Sequence, residues 1–353
     1  MKQSARWAAT GAAAYLGWKL LQSRRTIDLR GRSVLITGGS RGLGLLLARE
    51  YARRGCRVAI CARDETELEN ARRDLAGRGA DVLASVCDVA DREQVEDMVQ
   101  WVSERFGRID VLVNNAGIIQ VGPMETMTLE DYRNAMAVMF WGGVYCTLAV
   151  LPQMRARGEG RIVNITSIGG KVAIPHLLSY SAAKFAIRGF SEGAHAELAK
   201  DGIVVTTIVP GLMRTGSPVN AFFKGRKGLE YTWFSLGDAT PLTAMHAERA
   251  ARRIVEATRK GEAEVTLTWQ ARLLGLLHDL MPGAMPEFLG LVNRVLPGAD
   301  GAGHDVARGM ELATPLSPSP LTEPMNRAAR AYNQFGGDER PAPRHARQVG
   351  LDH

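Results

Sequence analysis

The sequence predicts an α/β fold in which helices cover both faces of a doubly wound parallel sheet. Two observations predict it. Short apolar runs typical of buried strands alternate with longer runs typical of helices, and a glycine-rich turn joins the first such pair. The composition is that of a globular protein, with 46% hydrophobic and 23% charged residues. The 353 residues suffice for one large domain or two.

Strand-like and helical runs alternate between about residues 27 and 268. The predicted strands are Ser33–Thr37, Arg57–Cys61, Asp81–Cys87, Val111–Asn114, Arg161–Thr166 and Ile203–Val209. The predicted helices are Leu43–Arg54, Glu65–Arg78, Arg92–Phe106, Leu129–Ala156, Ser179–Lys200 and Ala247–Lys260. Repeated strand–helix units have right-handed crossovers, and sheets built from them bind ligands at the carboxyl ends of their strands.

The turn after the first strand has the pattern of a phosphate-binding loop. It carries Gly38, Gly42 and Gly44, and a helical run follows directly. At such a turn, free backbone N–H groups and the helix dipole face an anion, and glycine lets the backbone approach that anion without a Cβ clash. A nucleotide pyrophosphate is therefore the expected ligand, although a glycine-rich turn alone is weak support for it.

Tyr180 and Lys184 are candidates for acid–base chemistry, because residues four apart in a helix lie on the same face. A phenol has a pKa near 10, and a neighbouring ammonium lowers that pKa, so the phenol can then exchange a proton with a carbonyl oxygen. An amphipathic helix with an unrelated tyrosine and lysine would show the same spacing. The pair therefore needs support from other parts of the chain.

Polar residues end two further strands at the same predicted edge. Ser167 follows the fifth predicted strand, where its hydroxyl can hydrogen-bond a substrate oxygen. Asn114 and Asn115 end the fourth, where amide side chains can tie neighbouring strands together beside a nucleotide. Each of these residues could equally belong to an ordinary turn.

Taken in order along the chain, these residues resemble the short-chain dehydrogenase/reductase family, over about residues 27–265. The matching residues are Thr37, Gly38, Gly42, Gly44, Asp88, Asn114, Asn115, Ala116, Gly117, Ser167, Tyr180, Lys184, Pro210 and Gly211. The resemblance implies a single Rossmann-like domain. It also implies hydride transfer between a nicotinamide cofactor and a carbonyl or alcohol carbon, and a homo-oligomer.

The resemblance implies a role for each matched side chain. Tyr180 would be the general acid/base, Ser167 would polarise the substrate oxygen, and Lys184 would bind the nicotinamide ribose and lower the pKa of Tyr180. Asp88 would contact the adenine, and Thr215 lies where the family often fixes the carboxamide. The cofactor-binding residues predicted in this way are Thr37, Gly38, Ser40, Arg41, Gly42, Leu43, Gly44, Arg63, Asp88, Asn115, Tyr180, Lys184, Pro210, Gly211 and Thr215.

Two arginines favour NADP(H) as the cofactor. Relatives that prefer NAD carry an acid at the end of the second strand, where it binds the ribose hydroxyls, and this chain has Ala62 followed by Arg63. Arg41 lies inside the glycine-rich turn. Two guanidinium groups beside the adenosine ribose suit a 2′-phosphate. Asp64 is the residue that argues against this interpretation.

One position departs from the family pattern. Met139 stands where the family has an asparagine that helps to hold a water beside the lysine, and a thioether is only a weak acceptor. Catalysis is expected to survive, because the serine, tyrosine and lysine are all present. The alternative is a catalytically weak NADP(H)-binding sensor, or a scaffold protein at a membrane surface.

The N-terminal segment, residues 1–26, combines an apolar run with much of the positive charge. Residues 1–32 carry seven cationic side chains against one acidic side chain, in a chain of net charge +7. The run Trp7–Leu21 is shorter than the ~20 residues of a spanning helix, and the cations that follow it fit a cleaved signal peptide poorly. The segment is expected to bind the inner face of a membrane or to form a solvated arm, with the rest in the cytoplasm.

The C-terminal part is expected to form a helical extension at residues 269–297 and a loosely ordered tail at 298–353, with one helix near Met325–Asn333. The extension could cap the substrate cleft, form a dimer contact, touch a membrane or pack on the core. An aromatic cluster after Pro210 favours a hydrophobic small-molecule substrate. Its members are Phe222, Phe223, Tyr231, Trp233 and Phe234.

Composition argues against several other classes. The four cysteines have no paired spacing, so we expect buried, reduced thiols rather than a disulfide framework. The seven histidines are scattered, and we expect no metal site. A nucleic-acid binder would show a basic face with interleaved aromatic residues inside the fold, and we therefore expect no nucleic-acid partner.

Overall fold

A computed structural model gives the fold and describes residues 25–240, 244–299, 301, 303–312, 314 and 322–335. The described strands are β1 (Ser33–Thr37), β2 (Arg57–Ala62), β3 (Val82–Val86), β4 (Val111–Asn114), β5 (Gln120–Val121), β6 (Gly160–Ile165), β7 (Ile203–Val209), β8 (Met213–Arg214), β9 (Phe222–Phe223), β10 (Met245–His246), β11 (Glu264–Thr266) and β12 (Ala307–Arg308).

Helices connect most of these strands. The described α-helices are α1 (Gly42–Arg53), α2 (Glu65–Gly77), α3 (Arg92–Phe106), α4 (Leu129–Met136), α5 (Gly142–Arg157), α6 (Leu178–Leu198), α7 (Lys227–Ala239), α8 (Ala247–Lys260), α9 (Trp269–Leu280), α10 (Ala284–Asn293) and α11 (Glu323–Ala331). Several of them begin at a residue whose side chain caps the helix N-terminus. Asp64 caps α2, Asp91 caps α3, and Thr128 forms a capping box with Asp131 at α4.

The central sheet has seven strands in the order β11-β7-β6-β4-β1-β2-β3, and every neighbouring pair is parallel. The strand order reverses between β1 and β4, so the predicted doubly wound α/β fold is confirmed. One apolar core packs α1, α2 and α8 on one face of the sheet, and a second packs α3, α5 and α6 on the other. The carboxyl ends of β1, β4, β6 and β7 therefore lie along one edge, next to the reversal point.

The predicted helix Leu129–Ala156 is interrupted. A π-helical turn at Ala137–Trp141 separates α4 from α5, and it carries Met139 into the interior. The stretch Leu129–Arg157 is long and apolar enough to cross a membrane by length and composition, but 56% of its most apolar window is buried inside the fold. Residues of α4, the π-helical turn and α5 belong to the second of the two apolar cores described above.

The chain after the sixth predicted strand contains elements that the sequence interpretation missed or misjudged. β11 adds a seventh strand beside β7, and α7 contains most of the aromatic cluster. The helical extension is present as α9 and α10. In the described part of the predicted tail, β12 pairs with β9, and α11 packs on the domain where one helix was predicted near Met325–Asn333. Residues 1–24 lie outside the described residues.

Candidate active site

The glycine-rich turn between β1 and α1 is built from positions where a side chain would not fit. A Cβ on Gly44 would lie 2.0 Å from the backbone oxygen of Gly38, and a Cβ on Gly38 would lie 2.9 Å from the Cα of Ala116. Gly38 and Gly42 also have φ angles of +63° and +55°, in the left-handed region that glycine adopts readily. The turn therefore presents bare backbone at the start of α1, as the sequence predicts.

Two side chains fix this turn to the neighbouring strand. The Thr37 hydroxyl accepts hydrogen bonds from the N–H groups of Asn115 and Ala116, at 3.0 and 3.1 Å. The Asn115 side-chain Nδ2 donates to the backbone oxygens of Thr37 and Gly38, at 2.9 and 3.0 Å. Asn115 is predicted to line the cofactor site, and its side-chain amide nitrogen holds the loop that would bind the cofactor.

Ser167 and Tyr180 meet at the carboxyl end of β6. Ser167 follows that strand, and its hydroxyl accepts the N–H of Gly169 at 3.0 Å. Tyr180 lies in the first turn of α6, beside Ser167: a Cβ on Gly169 would lie 3.3 Å from the Tyr180 ring and 3.5 Å from the Ser167 hydroxyl oxygen. Burial raises the pKa of the Tyr180 phenol, and the neighbouring Ser167 hydroxyl lowers this pKa by less. The two predicted catalytic hydroxyls are therefore adjacent, and the phenol keeps its proton at neutral pH.

Lys184 lies one turn after Tyr180 and is buried. Its Nζ donates to the backbone oxygen of Ile165 at 2.8 Å and lies 5.7 Å from the centre of the Tyr180 ring. Burial lowers the pKa of Lys184 to about 8. The Lys184 ammonium is thus directed at the strand, and burial is the largest influence on the pKa of the Tyr180 phenol.

Asn114, expected to tie neighbouring strands together, begins a buried polar chain whose other members the sequence did not indicate. Asn114 donates to the side-chain oxygen of Asn164 at 2.8 Å, and Asn164 donates to Ser191 at 3.0 Å. Ser191 lies 2.7 Å from the hydroxyl of Thr207. The chain links β4, β6, α6 and β7. Asn164, an amide between the apolar residues Val163 and Ile165 of a buried strand, was the signal available in the sequence.

The segment after β7 completes the edge. The Pro210 oxygen accepts the N–H of Ile168 at 2.7 Å, beside Ser167. A Cβ on Gly211 would lie 2.4 Å from the Thr268 hydroxyl, so that position admits only glycine without rearrangement. Thr215 is buried, and its hydroxyl accepts the N–H of Ser217 at 3.3 Å. These predicted residues thus lie together with Ser167 at one end of the sheet.

Comparison with known proteins agrees with this geometry. The sequence profile described as short chain dehydrogenase matches residues 32–222, which is more than half of the chain. This chain belongs to the short-chain dehydrogenase family. It is 40% identical over 253 residues to the Anopheles gambiae dehydrogenase/reductase SDR family protein 7-like, an alignment that covers 70% of this chain and 78% of that protein.

Two solved structures of short-chain dehydrogenases show the same fold. A short-chain dehydrogenase from Streptomyces avermitilis has a TM-score of 0.65 and 31% identity, covering 75% of this chain and 98% of that one. A gluconate 5-dehydrogenase from Burkholderia cenocepacia, in complex with NADP and tartrate, has a TM-score of 0.61 and 29% identity, covering 71% and 98%. The family comprises oxidoreductases that bind a nicotinamide cofactor.

The residues of this short-chain dehydrogenase fit such a cofactor at the glycine-rich turn. A Cβ on Gly38 or Gly44 would clash with the backbone of Ala116 or of Gly38, so glycine lets the turn close tightly against β4 and present backbone at the start of α1, where a pyrophosphate can bind. Leu43 follows in α1 with its side chain in the core, so it can offer only its backbone to a ligand.

The arginines predicted to bind a 2′-phosphate are both paired with acids. Arg41 contacts Glu67 at 2.5 Å, and the Ser40 hydroxyl donates to the same carboxylate at 3.2 Å. Arg63 lies 3.8 Å from Asp88, and both of these side chains are exposed at the ends of β2 and β3. Asp88 otherwise accepts the N–H of Ala90. A phosphate at this end would have to compete with two carboxylates for its cations.

Met139 fills the space beside the predicted catalytic lysine. It is buried, and a Cβ on Gly117 would lie 3.5 Å from its sulfur and 3.6 Å from the Lys184 Nζ. A cavity of about 10 Å³ remains beside it, with Thr37 and Asn114 also in its wall. That volume suits about one water molecule, but the methionine adds no strong acceptor to it.

A second buried polar cluster lies next to the active-site helix. His176, four residues before Tyr180, has a φ angle of +62° and places its Nδ1 2.8 Å from the Glu230 carboxylate. The Trp233 Nε1 donates to the other oxygen of that carboxylate at 2.7 Å. The cluster connects α7 to the loop before Tyr180. The sequence analysis treated Trp233 as part of an aromatic cluster and did not identify its two partners.

Proposed function

We propose that the protein is an NADP(H)-dependent oxidoreductase that transfers a hydride between the nicotinamide and a carbonyl or alcohol carbon of a hydrophobic small molecule. The observation that carries the proposal is the juxtaposition of the Ser167 and Tyr180 side chains beside Gly169, at the sheet edge that also bears the glycine-rich turn. Lys184 on the same helix completes the set of residues expected from the family resemblance.

The chemistry asked of these residues is proton transfer and charge stabilisation. The bound nicotinamide cofactor supplies or accepts the hydride. Tyr180 donates its proton to a substrate carbonyl oxygen in reduction and takes a proton from the alcohol in oxidation. Ser167 donates a hydrogen bond to the same oxygen and stabilises the charge that develops on it. Because burial raises the pKa of Tyr180, the phenol is held in the protonated form that a reduction requires.

The hydrophobic substrate class is argued from the apolar surroundings of Tyr180. Its ring packs beside a cluster contributed by β5, by the loop before α6 and by the segment from residue 221 into α7. The buried members of that cluster are Val121, Leu177, Ala221, Phe223, Tyr231 and Phe234. An apolar wall next to a hydroxyl pair favours a ligand with one polar oxygen and an apolar body.

A screen of NADPH oxidation with aldehydes, ketones and ketosteroids tests the proposal. We expect turnover by the natural protein and a loss of at least about 100-fold in kcat for Tyr180→Phe, because the proton donor is removed. Tyr132→Phe is the matched control, since the Tyr132 hydroxyl is buried without a hydrogen-bond partner among the described residues. Equal rates for Tyr180→Phe and the natural protein would refute the assignment of Tyr180.

NADP(H) preference is a second expected outcome of that assay. We expect kcat/KM to be at least about tenfold higher with NADPH than with NADH, because two guanidinium groups can bind the 2′-phosphate. The Arg63–Asp88 pair is long and exposed, so it costs little to exchange Asp88 for a phosphate. Arg63→Ala should lower the ratio of kcat/KM for NADPH to kcat/KM for NADH. Arg133→Ala breaks an equally long exposed ion pair, with Glu130, and should leave this ratio unchanged. Equal rates with both cofactors would contradict this prediction.

A second candidate function is an NADP(H)-binding sensor with little catalysis, and Met139 is the observation that favours it. Cofactor binding without turnover across the whole carbonyl panel would support the sensor. A scaffold role at a membrane surface would need residues 1–26 to be the functional part.

For location and assembly, we propose a cytoplasmic homo-oligomer that is attached to the inner face of a membrane through residues 1–26. Cell fractionation after deletion of residues 1–26 tests the membrane attachment. The native mass of the purified protein tests the homo-oligomer.

A further inference from the structure

The three residues after α11, Tyr332, Asn333 and Gln334, lie across the glycine-rich turn, and we call them the C-terminal strap. The backbone N–H of Gly42, at the start of α1, donates to the Tyr332 oxygen at 2.8 Å. This N–H is one of the groups that a pyrophosphate would need. A Cβ on Gly42 would lie 2.8 Å from the Gln334 side chain, so the strap is in direct contact with the turn.

The strap also spans the length of the predicted cofactor cleft. At the adenosine end, the Asn333 side chain donates to the backbone oxygens of Ser40 and Glu67, both at 2.9 Å. At the nicotinamide end, the Gln334 side chain donates to the backbone oxygen of Thr215 at 3.0 Å. Ser40 and Thr215 are predicted cofactor-binding residues. Successive strap residues thus occupy hydrogen-bonding groups from one end of the cleft to the other.

Helix α11 anchors the strap to the domain. Ala329 is buried against Gly216, where a Cβ would lie 2.5 Å from the Ala329 Cα. The Tyr332 hydroxyl hydrogen-bonds Glu248 on α8. Asn220 donates to the backbone and side-chain oxygens of Gln334 at 2.6 and 2.8 Å. The anchoring is apolar along the helix, whereas the contacts of the strap with the cleft are hydrogen bonds that a polar ligand could replace.

We infer that the C-terminal strap is an autoinhibitory segment that competes with the dinucleotide for the glycine-rich turn, an inference that rests on the proposed function. The Gly42 N–H cannot donate fully to the Tyr332 oxygen and to a pyrophosphate at once. The apparent affinity for the cofactor is therefore reduced by the fraction of molecules in which the strap is closed. By linkage, the bound dinucleotide displaces the strap to the same extent.

The test compares dissociation constants for NADPH, measured by calorimetry on the full chain, between the natural protein and Asn333→Ala/Gln334→Ala. The Asn333 and Gln334 side chains donate to the strap's partners in the cleft, and the Gln334 side chain also accepts from Asn220. The double variant removes these hydrogen bonds, so the strap should leave the cleft more often and the Kd for NADPH should fall by about tenfold or more. Arg330→Ala, an exposed change on the same helix, is the control and should leave the Kd unchanged. A double variant with the same Kd as the natural protein would overturn the strap inference alone.

Two further outcomes separate the possible failures. If neither the natural protein nor the double variant binds NADPH or NADH, the proposed function fails, and this inference fails with it; loss of binding in the double variant alone overturns only the strap inference. Hydrogen exchange of the natural protein gives a readout that does not depend on turnover. Saturating NADPH should accelerate exchange at residues 322–335, because the strap is released. Slower exchange there would mean that the segment closes over the dinucleotide as a lid, which overturns competition.

Discussion

At the scale of single residues, Asp238 is a buried carboxyl with one oxygen left unpartnered among the described residues. It lies in α7, and this oxygen is its Oδ2. Burial raises the pKa of this carboxyl to about 8, with a hydrogen bond from the Met213 backbone and the charge of Arg214 opposing. The Nε of Arg214 is likewise buried without a partner, so the two groups are near each other without forming a good pair.

Asp238 should make stability fall as the pH rises. Its folded pKa of about 8 lies above the unfolded value of 3.8, so the native state binds the extra proton between these two pH values and loses that advantage toward pH 8. Asp238→Asn should flatten this part of the profile and raise the free energy of unfolding at pH 8 by about 2 kcal/mol. Urea unfolding from pH 5 to 8.5 measures it.

The control for this prediction is Asp97→Asn, a change at an exposed residue of α3. The Asp97 variant should follow the natural protein at each pH. If Asp238→Asn follows it as well, the carboxyl at position 238 is solvated in the folded protein.

At the scale of elements, the seven-strand sheet explains why two hydroxyls distant in sequence meet. β6 delivers Ser167 and α6 delivers Tyr180 to the same edge, and the buried chain from Asn114 to Thr207 keeps β4, β6 and β7 in register beneath them. Helix α7 is connected to this edge through Glu230, which pairs with His176 in the loop before α6. The position of Tyr231 and Phe234, the α7 residues of the apolar cluster beside Tyr180, therefore depends on one buried carboxylate.

Removing this carboxylate should loosen α7. Glu230→Ala leaves the buried His176 ring and the part-buried Trp233 Nε1 without their acceptor, and we expect a loss of about 3 kcal/mol in the free energy of unfolding. Leu229→Ala, half-exposed on the same helix, should cost less than about 1 kcal/mol. Urea unfolding at pH 7 compares the two variants. Similar losses in both would show that the cluster does not hold the helix.

At the scale of the whole molecule, the fold was predictable where the signal is continuous along the chain. β1 and β4 match their predicted bounds because strands buried on both faces are unbroken apolar runs. β11 was missed because three residues are too few to show a period, and α7 was missed because its aromatic residues were interpreted as a cluster rather than a helix. The π-helical turn at Ala137–Trp141 changes only the hydrogen-bond register, which leaves no trace in hydropathy.

The candidate site, like the fold, could be predicted from the sequence only in part. The glycines of the turn, Ser167, Tyr180 and Lys184 could be proposed from spacing and family resemblance, and the structure brings them to one edge of the sheet. The C-terminal strap could not be predicted, because its contact with Gly42 is made by a backbone oxygen, which every residue type supplies equally. The same limit applies to the pairing of Arg41 with Glu67, since the two lie on different elements.

The hydroxyl of Thr37, which accepts two peptide N–H groups from the loop after β4, makes this position sensitive to a change that leaves its shape intact. Valine is isosteric with threonine and at least as well suited to a buried strand, so size and hydropathy alone would predict that the Thr37→Val substitution is neutral. The substitution would nevertheless leave the N–H groups of residues 115 and 116 without a hydrogen-bond acceptor in the interior. Inactivity after such a swap would reflect a misplaced phosphate loop, with every reacting group still present.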